Sequence, residues 1–469
     1  MSPPRAAGRP LARFAVADEL TCYYDRPAEP ANVHVEAHVD GRLDESVVRA
    51  AVGALLGAEE GLRARQAGTG RWRPAYYWEF PAAADTDPVR VATYTDAADL
   101  ARLRSDFLSA SPPLRTSPPL RLLLASGTDA DAGDVLVLNA HHAHFDGLSA
   151  LRLLRGVASR YEELSSPPQP LGARAAGAGA STGSAGGADS AGSGPAGDAR
   201  SAAARSSDLP PDDPPQPPPV PRGRITRIAG EREPGTPVGL PGYGALLLTW
   251  DGLADAAAFR SSAGGSVNDL LIATLMVAIG EWNAAHGAPA GLVQVTMPVG
   301  EPVQATAAGQ WANRSRLTKV SATVRPGCTV ADLLGTVAAQ ASYAKRQPGA
   351  QVDGVSRALT VVPIPVAVKR AALRAAVRTI GQFASDSCLV SNLGVVAPVS
   401  FGPAGTARLW FSTSAHMPRG LSLGVVTTGD DLALTFRYRL ALFSPAAAAD
   451  FAGRYVRTLD AVVGRRVPA

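Results

Sequence analysis

The feature that most constrains the fold is a long low-complexity segment, which runs from Ser165 to Arg224 and consists mainly of Ala, Gly, Ser and Pro. Such a composition cannot bury enough apolar surface to offset the entropy lost on ordering, so we predict a disordered linker at 165–224. The run from Pro214 to Pro219 could instead bind a partner that recognises proline-rich sequences. The linker divides the 469 residues into pieces 1–164 and 225–469, each long enough for a lobe with its own core.

Strand and helix patterns are mixed in both pieces. Apolar and polar residues alternate from Val33 to Asp40, which predicts a half-buried strand, and Asp44 then stands where it can cap a helix. After the linker, strands are predicted at 244–250, 292–298, 316–324, 407–413, 421–427 and 432–438, and helices at 267–279, 330–345, 366–380 and 445–463. In the helix from Val267, Asn268 or Asp269 is predicted to be a cap rather than a catalytic group. The pattern indicates an α/β fold with two similar lobes.

The strongest chemical signal is the segment Asn139–Gly147, which contains His141, His142, His144 and Asp146. An apolar run at 134–138 predicts a buried strand before it, and helical spacing begins after Leu148. The histidines are therefore expected at a strand-to-helix turn. A neutral imidazole in such a turn can accept a proton from an attacking hydroxyl or amine, because its ordinary pKa is near ~6.5.

Two other interpretations of this segment are possible. Three histidines in four positions could bind a metal ion, or they could simply form a structural turn. No cysteine cluster or HExxH helix accompanies them, and the remaining histidines, His34, His38, His286 and His416, have no convincing ligand spacing. We therefore predict no metal and favour acyl transfer.

The histidine segment resembles the HHxxxDG superfamily, which contains nonribosomal peptide synthetase condensation domains, polyketide-associated acyltransferases and wax ester synthases. The match at His141, His142, Asp146 and Gly147 is complete. The resemblance implies that His142 is the catalytic base, that Asp146 supports the site through an ion pair, and that Gly147 lets the chain turn tightly. His144 occupies a variable position of the motif and is expected to line the substrate pocket.

The resemblance covers nearly the whole chain apart from the linker and the first residues. It implies two chloramphenicol-acetyltransferase-like lobes that form a V-shaped pseudo-dimer with a central tunnel. The segment Gly61–Arg65 resembles the Leu-Arg-x-Arg strand of condensation domains, so Arg63 or Arg65 is the expected ion-pair partner of Asp146. Asn313-Arg314 resembles a Gly-Asn segment of the family.

A second segment, Ser387–Gly394, resembles the strand that crosses from the C-terminal lobe toward the catalytic histidine. Ser391 and Asn392 in this segment could donate hydrogen bonds to substrate or to the oxyanion, or they could only form a turn after the strand.

These features predict an acyltransferase of the condensation type that acts in bacterial secondary metabolism. It would transfer an acyl group from a carrier-protein or coenzyme A thioester to an alcohol or amine, forming an ester or an amide. No bound cofactor is expected: the thioester, on a phosphopantetheine arm or on CoA, is a substrate. The alternatives are a catalytically degenerate recruitment module and a related enzyme that uses the tunnel for a non-acyl reaction. Because a binding-only module has no need of the complete motif, acyl transfer is preferred.

Motifs that the chain lacks, and its overall composition, restrict the class of protein further. There is no Asp-Phe-Gly-Trp-Gly motif, which argues against the plant BAHD branch, and no phosphate-binding loop or activating domain, so the donor must arrive already activated. The net charge of +4 is too small to indicate nucleic-acid binding. The three cysteines, Cys22, Cys328 and Cys388, suggest reduced thiols and a cytoplasmic location. We further expect an acyl or peptidyl carrier protein as partner, no membrane span and a monomer.

Overall fold

The computed structural model describes residues 11–68, 72–129, 132–166, 217–231, 241–300, 311, 313, 315–346, 354–379 and 386–465. The part of the predicted linker from 167 to 216 therefore lies outside the described residues. Fifteen strands are described: β1 (Ala12–Arg13), β2 (Asn32–Val39), β3 (Arg65–Gln66), β4 (Tyr77–Glu79), β5 (Val89–Tyr94), β6 (Leu120–Gly127), β7 (Asp134–His141), β8 (Tyr243–Trp250), β9 (Gly291–Gly300), β10 (Ser315–Val324), β11 (Cys388–Val396), β12 (Val399–Ser400), β13 (Thr406–Thr413), β14 (Leu421–Thr428) and β15 (Asp431–Arg439).

Ten α-helices accompany these strands in the described residues: α1 (Val16–Tyr24), α2 (Glu45–Ala58), α3 (Ala97–Leu108), α4 (Gly147–Ser165), α5 (Leu253–Ala263), α6 (Val267–Ala285), α7 (Val330–Arg346), α8 (Gly354–Val361), α9 (Val366–Thr379) and α10 (Pro445–Val462). Helix α2 is the helix predicted from Asp44, whose carboxylate accepts hydrogen bonds from the amides of Ser46 and Val47. Its apolar face is buried as expected, at Val48, Val52, Leu55 and Leu56. The predicted mixture of strands and helices is confirmed.

The first large sheet has the strand order β12-β13-β2-β7-β6-β5 and carries the histidine segment at the end of β7. Helices α2 and α4 pack together over this sheet through a core that includes Leu55, Leu138 and Leu154. Two of its strands, β12 and β13, come from the second piece of the chain. The predicted division at residue 225 thus differs from the observed one, because Ala407, Leu409 and other residues of β13 complete the core of the first sheet.

The second large sheet has the order β10-β9-β11-β14-β15-β8 and is built entirely from residues after 242. Helix α6 is buried over 269–279, and it packs with α7 and α10 over this sheet. Ser266 is the N-cap residue of α6, and Asp269 completes a capping box by accepting from the Ser266 amide at 2.8 Å. The prediction of a capping role in this segment is confirmed for Asp269.

The two sheets approach closely where β13 lies against β14. A Cβ atom built on Gly424 of β14 would stand 1.8 Å from the Phe411 carbonyl oxygen of β13, so only glycine fits this contact. The described residues before 166 and after 217 accordingly form one compact unit with two lobes.

Strand β2 is buried on both faces, which corrects the prediction of a half-buried strand. Glu36 accepts two hydrogen bonds of 2.6 Å from the guanidinium of Arg104 on α3, one of 3.0 Å from His34 and one of 2.6 Å from His38. We call His34, Glu36, His38 and Arg104 the β2 cluster. Burial alone would raise the pKa of Glu36, but Arg104 and the histidine hydrogen bonds hold it well below its usual range. The polar face is inside because α3 covers it.

Among the described residues, no single helix is both long and apolar enough to cross a bilayer. Taken together, α5 and α6 reach the required length and hydropathy, but the pair is bent by 94° and α6 belongs to the core.

Candidate active site

The histidine segment forms the predicted turn between β7 and α4. The amides of His144 and Phe145 both donate to the His141 carbonyl at 3.0 Å, which closes the turn, and the His142 amide donates to the Ala31 carbonyl at 2.9 Å. Asp146 then begins α4: its Oδ1 accepts from the amide of Ser149 at 2.8 Å, and its own amide donates to the Ser149 hydroxyl at 2.8 Å. The turn is therefore held by backbone hydrogen bonds at its first end and by the side chains of Asp146 and Ser149 at its second.

The hydrogen bonds of His142 define which of its ring nitrogens can act as a base. Nδ1 lies 2.9 Å from the Phe145 carbonyl oxygen, which can only accept, so Nδ1 carries the proton. Nε2 then has the free lone pair. Burial lowers the pKa of His142 below its ordinary value, which keeps the imidazole neutral. The main chain at His142 is also fixed by Asn313, whose Nδ2 donates to the His142 carbonyl at 3.1 Å.

His141 has a different environment from its neighbour. Its ring is buried, its Nδ1 accepts from the Ala143 amide at 3.1 Å, and its Nε2 lies 3.5 Å from Oδ2 of Asp25. Because Nδ1 accepts, Nε2 carries the proton and faces a carboxylate. Both ring nitrogens are thus engaged, and His141 positions the turn.

His142 lines two cavities that share part of their walls. The first has a volume of about 520 Å³ and a largely apolar wall, which includes Leu373, Leu389, Met417 and Pro418. The second has a volume of about 740 Å³ and a more polar wall, which includes Thr296, Ser315, Thr318 and Lys319. We call them the apolar cavity and the polar cavity. Six residues line both: Thr21, Tyr24, His142, Leu317, Asp386 and Arg419.

His144 does not line either cavity, which corrects its expected role as a pocket residue. Its ring packs against Trp78 and Phe145 with centroid distances of 4.7 Å, and its Nε2 donates to the Gly61 carbonyl at 2.8 Å. Burial lowers the pKa of His144 to about 4, so this ring is neutral and structural. The tight turn after His142 directs position 144 into the core.

Arg63 and Arg65 do not pair with Asp146, so the expected identity of its ion-pair partner is wrong. Arg63 ends a short 3₁₀-helix rather than lying in a strand, and its Nε donates to the Pro81 carbonyl at 2.9 Å. Arg65 pairs with Asp85 at 2.7 Å and Glu79 at 3.2 Å. Acceptors close to each arginine in the first lobe satisfy both guanidinium groups.

Gly147 is required for a reason other than the predicted one. It is absent from the described glycines with positive φ, so its role is not backbone freedom. A Cβ atom at this position would lie 2.7 Å from Leu393 Cδ2 and from the ring of Phe411. Glycine allows β11 and β13 to pack directly on the first turn of α4, which joins both lobes at the histidine segment.

Ser391 and Asn392 lie on β11, which stays within the second sheet, and neither lines the two cavities of His142. Asn392 Oδ1 accepts from the Gly394 amide at 2.7 Å, beside an irregularity in the strand, and Nδ2 lies 3.4 Å from Oδ1 of Asn268. The structure therefore shows an irregularity within β11 at this segment rather than the predicted turn after the strand. The segment that crosses to the first lobe is the following one, which contains β12 and β13.

Several cavity residues were not predicted. Arg419 forms a two-pronged ion pair with Asp386, with N–O distances of 3.0 and 2.6 Å, on the shared wall of the two cavities. His416 lies on the wall of the apolar cavity, where burial lowers its pKa to about 3. These residues stand in loops far from the motif along the chain, and no local spacing marks them. In the described residues, no group of three His, Cys, Asp or Glu side chains is placed to hold a metal ion.

Comparison with known proteins defines the family and the fold. The chain is 30% identical over 464 residues to the uncharacterized protein Rv2305 of Mycobacterium tuberculosis (strain ATCC 25618 / H37Rv), covering 95% of this chain and 98% of the relative. The uncharacterized protein MT2362 of Mycobacterium tuberculosis (strain CDC 1551 / Oshkosh) is similar to the same extent. No protein-family model matches the chain.

Two solved structures that share the fold are condensation domains. The first condensation domain of the calcium-dependent antibiotic synthetase, in complex with a substrate analogue, has a TM-score of 0.64 at 16% identity, with 97% of each chain covered. The starter condensation domain of rhizomide synthetase RzmA, as a mutant in complex with C8-CoA, has a TM-score of 0.57 at 14% identity, covering 97% of this chain and 95% of that one. The chain therefore has the two-lobed fold of the condensation-domain superfamily, and it belongs to the family of the mycobacterial relative. The V shape and the central tunnel stay predictions.

Proposed function

We propose that the protein is an acyltransferase that moves an acyl group from a carrier-protein or coenzyme A thioester to an alcohol or amine. The observation that carries this proposal is the state of His142: a neutral ring, protonated on Nδ1, whose Nε2 lone pair is available where two cavities meet. One substrate in each cavity would place both reacting groups beside the same base.

The reaction follows from this arrangement. Nε2 of His142 accepts the proton of the acceptor hydroxyl or amine as its oxygen or nitrogen attacks the thioester carbonyl. A C–O or C–N bond forms, the C–S bond breaks, and the departing thiolate takes the proton back from His142. The imidazole thus ends as it began, and no acyl-enzyme is needed. A base positioned in this way typically contributes about 10² to 10⁴ in rate.

The two cavity walls suggest which substrate part each accepts. Hydroxyl and amide side chains at Thr296, Asn313, Ser315 and Thr318 suit the amide groups of a phosphopantetheine arm, so we assign the donor arm to the polar cavity. The apolar cavity then holds an apolar part of a substrate, next to the reacting atoms. The three cysteines are free, which supports the proposed cytoplasmic location.

The test supplies the purified chain with a medium-chain acyl-CoA or an acylated carrier protein, together with a panel of amines and alcohols. We expect acceptor-dependent release of free thiol, lowered about 10² to 10⁴-fold in His142→Ala. His286→Ala is the matched control, because His286 is an exposed histidine at the end of α6. Activity of His142→Ala within a few-fold of wild type would contradict the mechanism. ATP-dependent use of a free acid would contradict the thioester donor, and carrier binding without any transfer would favour a recruitment module.

A further inference from the structure

An exposed apolar surface lies on the part of the protein formed by β1, the loop before β4, α8 and α9. Five large apolar side chains there are between 43% and 69% exposed: Leu11, Trp72, Val361, Val362 and Val368. We call them the α8–α9 patch. A soluble surface rarely exposes several large apolar residues close together without a use for them.

Hydrogen bonds bring together the chain segments that carry these residues, although the segments are distant in sequence. The Val366 amide donates to the Arg73 carbonyl at 2.9 Å, which fixes the start of α9 beside Trp72. Arg13 lies 3.4 Å from the Thr360 carbonyl, which fixes the end of α8 beside Leu11. Beneath the surface, the buried ammonium of Lys369 donates to the carbonyls of Pro74 and Thr360 and lies 3.5 Å from Glu19. Buried polar contacts of Lys369 therefore support the segments that carry the patch.

The charge around the patch has one sign. The sequence from Gly354 to Thr379 contains five basic residues and no acidic one, and with Lys369 buried against Glu19 four arginines remain in this segment. Arg13, Arg73 and Arg357 are exposed on the same chain segments as the apolar side chains. A cluster of arginines around exposed Trp and Val side chains is complementary to a surface that combines negative charge with an apolar interior.

The same helix connects the patch with the candidate active site. Leu373 and Ala376 of α9 line the apolar cavity, which also contains His142. Val368, earlier on α9, is exposed in the patch. A partner bound to the patch is thus adjacent to the wall of the cavity that holds the apolar portion of a substrate.

We propose that the α8–α9 patch docks the protein onto an anionic lipid bilayer, with the apolar side chains among the acyl chains and the arginines at the headgroups. The inference goes beyond the proposed acyl transfer, since it concerns where the protein works and from which phase an apolar substrate enters. Lipid is favoured over an acidic protein because the patch combines a highly exposed tryptophan with three exposed valines. Tryptophan is enriched at the level of the headgroups.

The test measures binding of the full-length chain to vesicles, by flotation, without any turnover. Vesicles of phosphatidylcholine with phosphatidylglycerol are compared with vesicles of phosphatidylcholine alone. We expect binding to the anionic vesicles, weakened by salt. Replacing Arg73 and Arg357 by Gln should weaken it about fivefold for each charge removed. Replacing Val361, Val362 and Val368 by Ser should weaken it about tenfold or more.

Matched controls lie on β5, an edge strand of the first sheet, and on helix α3. Val91→Ser on β5 and Arg102→Gln on α3 remove an exposed valine and an exposed arginine without touching the patch, and they should bind like wild type. Equal binding to both kinds of vesicle, or equal losses in the controls, would overturn the proposal. If the patch variants bind vesicles normally but transfer more slowly from a carrier-bound donor than from CoA, the surface serves an acidic carrier protein and the lipid proposal is wrong. Loss of acyl transfer alone would leave the vesicle result intact, so the two proposals fail separately.

Discussion

The histidine turn at the end of β7 and the β2 cluster contain the same kinds of side chain in the same sheet, yet they have opposite properties. His34 and His38 direct their Nε2 atoms to Glu36, which Arg104 also binds through two nitrogens. His142 engages only Nδ1, with a carbonyl, and its Nε2 is left for the cavities. Proximity of histidine and carboxylate therefore does not identify a base, whereas the hydrogen bonds of each ring nitrogen do.

The difference shows that the first lobe uses different residues for the stability of the fold and for reactivity. In the β2 cluster, each charge is buried with a partner, so removing one partner leaves the other uncompensated. At the histidine turn, the structure is maintained by main-chain bonds and the Asp146 cap, so the His142 ring can change without loss of the turn. Four predictions test this comparison.

The largest effect is expected from Glu36→Gln, which breaks the buried pair with Arg104. We expect the free energy of unfolding to fall by about 3 to 5 kcal/mol, because the guanidinium stays buried without its counter-charge. Urea denaturation measures the change, and turnover per folded molecule should stay near wild type. The control is Glu45→Gln, whose pair with Arg49 is exposed and should contribute less than about 1 kcal/mol. Similar small losses in both variants would erase the distinction between the two regions.

A smaller effect is expected from Gly147→Ala at the histidine turn. The added methyl group meets Leu393 and Phe411 at 2.7 Å, so the contact between α4 and the second lobe must open, at a cost of about 1 to 3 kcal/mol. Thermal unfolding and thiol release are both measured, and both should decline. Gly57→Ala in α2 has open space around it and should be neutral or stabilising by up to about 1 kcal/mol. A fully stable Gly147→Ala variant would show that the lobes do not depend on this contact.

The smallest effect is expected from mild acid. Burial lowers the folded-state pKa of His34, His142 and His144, the last to about 4, while the unfolded chain titrates near 6.5. Because these folded-state values are depressed, the stability they contribute is complete above pH 6.5 and is lost as the pH falls toward 4. His144 alone should lower the free energy of unfolding by about 0.7 kcal/mol between pH 7 and 6, and its contribution should be lost faster below pH 6.

Activity should respond to pH through His142 alone. Since the base must be neutral, kcat/KM should stay level from pH 7 to below 6.5 and then decline through the lowered pKa of His142. A pH–rate profile, compared with unfolding measured at each pH, separates the two causes. A decline that begins above pH 7 would mean that His142 is not the group that titrates.

The sequence predicted those features that are encoded locally. The cap and apolar face of α2, and the strand, turn and helix around His142, each depend on residues a few positions apart. It failed where distant segments decide the outcome. Arg63 and Arg65 resembled an ion-pair strand, but nearby carbonyls and carboxylates satisfy them. The polar face of β2 suggested solvent, yet Arg104 of α3 covers it. His144 is only two residues from His142, which lines the cavities. The spacing of the motif does not show that the His144 ring packs in the core instead.

Strand β13 also dictates when the first lobe can be finished during synthesis. His34 contacts Ser412 across 378 positions of sequence, and β13 lies next to β2 inside the first sheet. Most of the chain must therefore emerge from the ribosome before the sheet that carries His142 can contain all its strands. Fragments that end near the linker will expose the bare edge of β2, and such an edge pairs readily with foreign strands. We therefore expect the N-terminal piece to aggregate when it is expressed by itself.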